Sequence, residues 1–163
     1  MSGLGRSGKR RQREVVDVVE PVAPDRSLDK LLHVRKQRLD RFERERQEAR
    51  SAWRTARQAL REAKLRWRGA LEEAHEVWRE ARAQFFKMAT TSGQVRRAKG
   101  AYERMKGEAI ELQLECGEYA ARARAAGGDF FTARRRVLEA NRQQEKLGIL
   151  RDEIRLLAQQ SEM

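Results

Sequence analysis

"ARAAGGDFFTARRRVLEANRQQEKL", residues 123–147, decides between a small globule and a long rod. Gly127-Gly128 separates an Ala-rich run from an Arg-rich one, and a glycine inside a helix costs about 1 kcal/mol relative to alanine. Two in a row would ordinarily mark the boundary between two elements. The spacing argues against a boundary here. Apolar residues recur at alternating steps of three and four through Ala123, Ala126, Phe130 and Ala133, and the phase neither gains nor loses a residue across the glycines. Independent elements have no reason to keep phase, so Gly127-Gly128 (127–128) is a soft point inside one continuous helix. Its penalty of about 2 kcal/mol is comparable to what burying one large side chain such as Phe130 returns.

The same seam extends both ways from this segment. Toward the N-terminus it passes through Tyr119, Cys116, Leu112, Ala109, Met105, Tyr102 and Ala98 to Val95; toward the C-terminus it takes in Val137, Ala140, Leu147, Ile154 and Ala158, with Gln144 and Arg151 as polar exceptions. This predicts a helix over about 95–160. Ahead of it, "TTSG" (90–93) reads as a turn at about 90–94, in which Thr91 and Gln94 form a capping box. A second seam precedes the turn: Leu28, Leu32, Leu39, Phe42, Ala49, Trp53, Ala56, Leu60, Ala63, Trp67, Ala70, Ala74, Val77, Ala81 and Met88, interrupted by Arg35, Arg46 and Gln84. It predicts a first helix over about 27–89, opening after Pro24 with Asp25 or Ser27 as its N-cap. One column of this seam is mostly large (Leu39, Trp53, Leu60, Trp67) and the other mostly alanine (Ala49, Ala56, Ala63, Ala70), so large residues need small ones opposite.

The predicted fold is all-α: two long helices in an antiparallel coiled-coil hairpin over 27–161, each about 60 residues and on the order of 90 Å long. Folded at the turn, the hairpin sets the two glycines opposite the stretch from Trp53 to Leu60. Two registers one heptad apart pair large with small about equally well, and both stay open. Surface pairs such as Asp40 with Arg44 and Glu62 with Arg66 suit i,i+4 contacts on the solvated faces. Residues 1–26 mix glycine, serine, basic residues and two prolines around a short valine run, and read as a disordered basic tail.

Composition agrees with a rod. The chain is 39% hydrophobic and 38% charged, and its net charge of +12 allows nucleic acid, an acidic membrane surface or an acidic protein groove as partner. Cys116, the single cysteine, falls on the seam, which excludes an intramolecular disulfide and a cysteine-based metal site. His33 and His75 lie beside the seam and read as solvated surface. "GLGRSGKR" (3–10) spells the start of a phosphate-binding loop, but Arg10 stands where Ser or Thr would hold Mg²⁺ and no strand fits before it. No nucleophile, base or metal-ligand motif appears, so neither an enzyme, a cofactor nor a metal is expected. No apolar run reaches membrane-spanning length and the N-terminus has no apolar h-region, so a cytoplasmic protein is expected.

Two features exceed what a plain hairpin needs. Near the turn, Leu71, Trp78, Phe85 and Phe86 widen the apolar face, either as additional core or as an exposed aromatic patch for a partner. Near the open end, Arg134, Arg135, Arg136, Arg142 and Lys146 meet Arg35, Lys36, Arg38 and Arg41 from the first helix, either as a solvated face or as a contact for acidic loops.

With "LLHVRKQRLDRFERER" opening the first helix and "EANRQQEKLGILRDEIRLL" closing the second, around an A-x-R-x-x-E-K-L pattern at Ala140–Leu147, residues 28–160 resemble the FliJ/YscO stalk family of flagellar export and type III secretion, nearest its Hrp-type, plant-pathogen branch. The resemblance implies a virulence-associated stalk that inserts into a hexameric secretion ATPase, promotes its assembly and activity, and links it to the cytoplasmic domain of the export gate. It implies ATPase contact for Arg35, Arg38, Arg41, Arg134, Arg135, Arg136, Arg142 and Lys146, and export-gate contact for Leu71, Trp78, Phe85, Phe86 and Tyr102. Secretion chaperones are further candidate partners, and a chaperone or scaffold role is one alternative. The other is a basic coiled coil binding nucleic acid through the tail "GKRRQR" and Arg134–Arg136; acidic residues interleaved along both helices and few aromatics for base stacking weigh against it.

Overall fold

A computed structural model describes residues 26–163, which form two helices and the turn between them. The basic segment ahead of residue 26, with its glycine-rich motif and Asp25, lies outside the described residues. Helix α1 spans Ser27–Phe86 (60 residues) and α2 spans Ser92–Ser161 (70 residues). After Pro24 the chain contains no proline, and Ala, Arg, Glu, Gln and Leu dominate, so no residue forces a break. Helix α2 runs unbroken through Gly127-Gly128, as the conserved phase predicts. Among the described residues no helix is long and apolar enough to cross a membrane.

The two helices lie antiparallel in a single register along their whole length. Asp29 meets Arg155 near the open end, Arg35 meets Gln143, Glu45 meets Arg136, Trp53 meets Gly127 and Phe130, and Trp78 meets Tyr102 near the turn. The core is thin and built largely of alanine: Ala63, Ala74, Ala109, Cys116, Ala123, Ala133 and Val137 are buried, and Val137 is the largest side chain to be fully so. Among the described residues two helices form one contact strip with no further layer over it, so Leu39, Trp53, Trp67 and most other large seam residues are only half-buried. Ile154 and Ala158 are exposed despite their seam spacing: Ile154 lies level with the first turn of α1, and Ala158 lies beyond it, where no described residue faces α2.

The helix ends depart from expectation in two places. The N-cap of α1 is Arg26, without a side-chain cap, and Ser27 is already the first helical residue. The other end comes at Phe86, short of residue 89, although Met88 keeps the seam's spacing. Met88 adopts φ 55°, its N–H donates to the Phe85 carbonyl (2.9 Å), and the Ala89 N–H donates to the Gln84 carbonyl (3.0 Å). These two bonds form a Schellman motif, which satisfies the last carbonyls of α1 and turns Met88 into solvent, so it is not a core residue. The capping box of α2 forms as expected: the Thr91 hydroxyl accepts from the Gln94 N–H (3.3 Å) and the Gln94 side chain accepts from the Thr91 N–H (2.9 Å).

A side chain in the left-handed region costs about 1 kcal/mol that glycine does not incur. Met88→Gly is therefore expected to raise the unfolding free energy by about that amount in urea titration. A loss of stability would show that the methionine side chain holds the turn.

The surface ion pairs are not those suggested by the sequence. Neither Asp40 with Arg44 nor Glu62 with Arg66 closes; Glu62 instead accepts from Gln58 (3.0 Å), and Arg79 reaches both Glu72 and Glu76 (2.6 Å each). Exposed pairs differ by only tenths of a kcal/mol, so small rotamer preferences choose among them.

Candidate functional site: two ends of unlike chemistry

Toward the open end of the hairpin, successive turns of α1 present Arg35, Arg38 and Phe42, and α2 presents Arg135, Arg136, Glu139 and Gln143 across from them. Together they line a cleft of about 400 Å³. Arg35 donates to the side-chain oxygen of Gln143, whose amide in turn donates to Glu139 (3.3 Å). This chain of bonds pins the cleft floor across the two helices. The Phe42 ring lies beneath two guanidiniums, with Arg38 and Arg41 each 5.6 Å from its centroid. Glu45 is shared between Arg41 (3.8 Å) and Arg136 (3.9 Å). Five guanidiniums thus face two carboxylates, and both carboxylates are already engaged. Such a surplus of planar, forked donors over an aromatic floor suits a carboxylate or phosphate arriving from outside.

The cleft sorts the basic residues singled out in the sequence. Arg35, Arg38, Arg135 and Arg136 line it, and Arg41 flanks it. Arg134, Arg142 and Lys146 are exposed and make no ion pair among the described residues. Phe42 and Gln143 were not apparent as site residues; Phe42 resembled any other seam position, and the i,i+4 step from Glu139 to Gln143 was the only available sign.

The turn end also divides. Trp78 stacks on Tyr102 (5.7 Å between centroids, 19° between planes), His75 lies 5.9 Å from the same ring, and Leu71 is half-buried beside them. Trp78 and Tyr102 pack between the helices, whereas His75 stays exposed beside them, as its place off the seam predicts. Phe85 and Phe86 meet edge-on (6.3 Å), with no other ring against either among the described residues, and Phe86 and Met88 are 79% and 93% exposed. The Schellman turn holds all three at the tip as an apolar knob.

No family model, characterised protein or solved structure matches this chain. Its own geometry must carry the assignment: a guanidinium-rich cleft assembled from both helices at one end, an apolar tip at the other, and a narrow two-helix shaft between.

Proposed function

We propose that the chain is the central stalk of a type III secretion system, a cytoplasmic shaft whose open end enters a hexameric secretion ATPase and whose turn end reaches toward the export gate. The observation that carries this is the separation of unlike chemistries along one hairpin, with the Arg35/Arg38/Arg135/Arg136 cleft at one end and the Phe85/Phe86/Met88 tip at the other. The resemblance to the FliJ/YscO stalks supplies the names of the partners. A shaft of about 90 Å, set by 60 helical residues, has the reach to bridge two assemblies. Ion pairs at an exposed cleft contribute about 0.2–1 kcal/mol each, so acidic loops of a ring would hold the shaft without locking it. The apolar tip suits a hydrophobic pocket that closes around a few aromatic anchors.

The test is the hydrolysis rate of the purified ATPase with and without the chain. Wild type is expected to raise the rate, and Arg38→Glu/Arg135→Glu to lose that stimulation while circular dichroism stays helical. Phe85→Ser/Phe86→Ser should keep the stimulation and lose co-purification with the export-gate domain. An unchanged rate, together with DNA binding that falls steeply with salt, would assign the cleft to nucleic acid instead.

A further inference from the structure

Helix α2 carries an apolar series beyond the one that pairs with α1. Ile110, Leu114 and Leu138 are 50%, 69% and 47% exposed, and Phe131 is nearly as open. Gly117, Ala121 and Gly128 fill the positions between them, so that steps of four and three alternate without a miss from residue 110 to residue 138. The two remaining members of the series are Arg124 and Arg135; none is acidic, although Glu111, Glu118 and Glu139 flank the series on one side. The matching face of α1 is polar from Asp40 through Arg44, Gln47, Ser51, Arg54 and Gln58 to Arg61, and Leu65 is its one exposed large apolar residue over this stretch. A solvated helix back has no use for a sustained seven-residue apolar period; a helix that meets a second partner has.

The series borders a shallow groove between the helices of about 710 Å³, floored by Ala120, Ala123 and Gly127 and walled by Trp53, Leu60 and Phe131. The ionisable residues lining it, Arg57 and Arg124, are both basic. A Cβ built on Gly117 or on Gly128 would meet nothing within 4 Å, so an incoming backbone can approach closely there. Gly117, Ala121 and Gly128, on either side of Arg124, with large residues toward both ends, leave room for the ridge of a helix packed alongside.

A second copy of the chain is a poor occupant. The antiparallel pairing that seats Phe131 on Gly117 and Ile110 on Leu138 also brings Arg124 against its own counterpart, between chains that each carry +12. A helix whose glutamate or aspartate falls level with Arg57 and Arg124, in the groove, has neither problem. We propose that this face of α2, with its groove, docks an acidic amphipathic helix of a partner protein, making the middle of the hairpin a three-helix bundle over about 42 Å.

The test uses the full chain and two fluorescent synthetic helices of about 28 residues, alike in their leucine spacing, one flanked by glutamate and the other by lysine. The glutamate peptide is expected to bind and the lysine peptide not to. Gly117→Gln/Gly128→Gln adds polar bulk in open space without changing charge; it should weaken binding about tenfold or more while the hairpin melts no lower than wild type. Arg54→Gln/Arg61→Gln, on the polar back of α1, should change affinity less than about twofold. Equal weakening by the two variants, or none by the glutamines, would reduce the interaction to general charge attraction and overturn the proposal. Sedimentation showing a dimer that Gly117→Gln/Gly128→Gln dissociates would overturn it in favour of a second copy.

Discussion

Replacing Gly69, Gly107, Gly117, Gly128 and Gly148 together with alanine is expected to raise the unfolding free energy by about 3–5 kcal/mol. All five lie inside helices, and a Cβ added at any of them meets nothing within 4 Å. No glycine in the described chain has positive φ, so alanine fits each backbone without strain. Each substitution therefore removes unfolded-state freedom and little else, at about 0.8–1 kcal/mol apiece. Along α2 the sites are at least ten residues, or about 15 Å, apart, Gly69 lies on the other helix, and none has a neighbour within reach of its Cβ, so their effects should nearly add. Urea titration should show a higher midpoint with an unchanged slope. A total gain below about 1 kcal/mol would mean that the glycines answer some structural need invisible in their surroundings. The same variant tests the role proposed for the shaft: if the secretion ATPase depends on a compliant stalk, the stabilised hairpin should stimulate it less.

What the residues disclosed unaided was the architecture, because hydrophobic phase is a local property that propagates. The steps through Ala123, Ala126, Phe130 and Ala133 stay in register across Gly127-Gly128, and the helix does too. Thr91 and Gln94 carried the start of α2 in their side-chain chemistry. The end of α1 was hidden, since Met88 obeys the seam spacing while the Schellman bonds turn its backbone left-handed. The choice between two registers was also hidden, because pairing large with small is satisfied by a whole-heptad slip; the contact of Trp53 with Gly127 and Phe130 resolves it.

The basic cleft was legible only as composition. Arg35 and Gln143 are 108 positions apart and meet because the hairpin folds. Which arginines line the cleft depends on rotation: consecutive helical residues point about 100° apart, so Arg134 is turned away from a site that holds Arg135 and Arg136. The aromatic stripe near the turn was ambiguous for a related reason. Trp78 becomes packing only because this register brings Tyr102 beneath it, whereas Phe86 stays largely exposed. The outer series of α2 was present in the spacing all along, hidden by the stronger inner seam and by the glycines that interrupt it.

Trp53→Ala is expected to destabilise the hairpin by about 3 kcal/mol and to reverse the sign of the Gly127→Ala effect. The indole stacks on Phe130 (5.3 Å, 18°), tilts against Phe131 (5.5 Å), and lies under the Arg57 guanidinium at 5.2 Å. It is therefore held by three neighbours and cannot swing aside cheaply. A Cβ on Gly127 would stand 3.0 Å from its Nε1 and 3.3 Å from its Cε2, closer than ordinary van der Waals contact, so the helices would have to part. Overpacking of this kind costs about 1–3 kcal/mol, which exceeds the gain of about 1 kcal/mol in helix propensity. Gly127→Ala should thus destabilise the wild-type chain, whereas Gly128→Ala, one residue along and facing open space, should stabilise it. With Trp53 truncated the obstruction is gone, and Gly127→Ala should then stabilise as its neighbour does, a coupling of at least about 1 kcal/mol in a double-mutant cycle read from thermal or urea unfolding. Were Gly127→Ala to stabilise the wild-type hairpin as much as Gly128→Ala, the indole would not be seated on Gly127, and the register of the two helices would have to shift by a heptad.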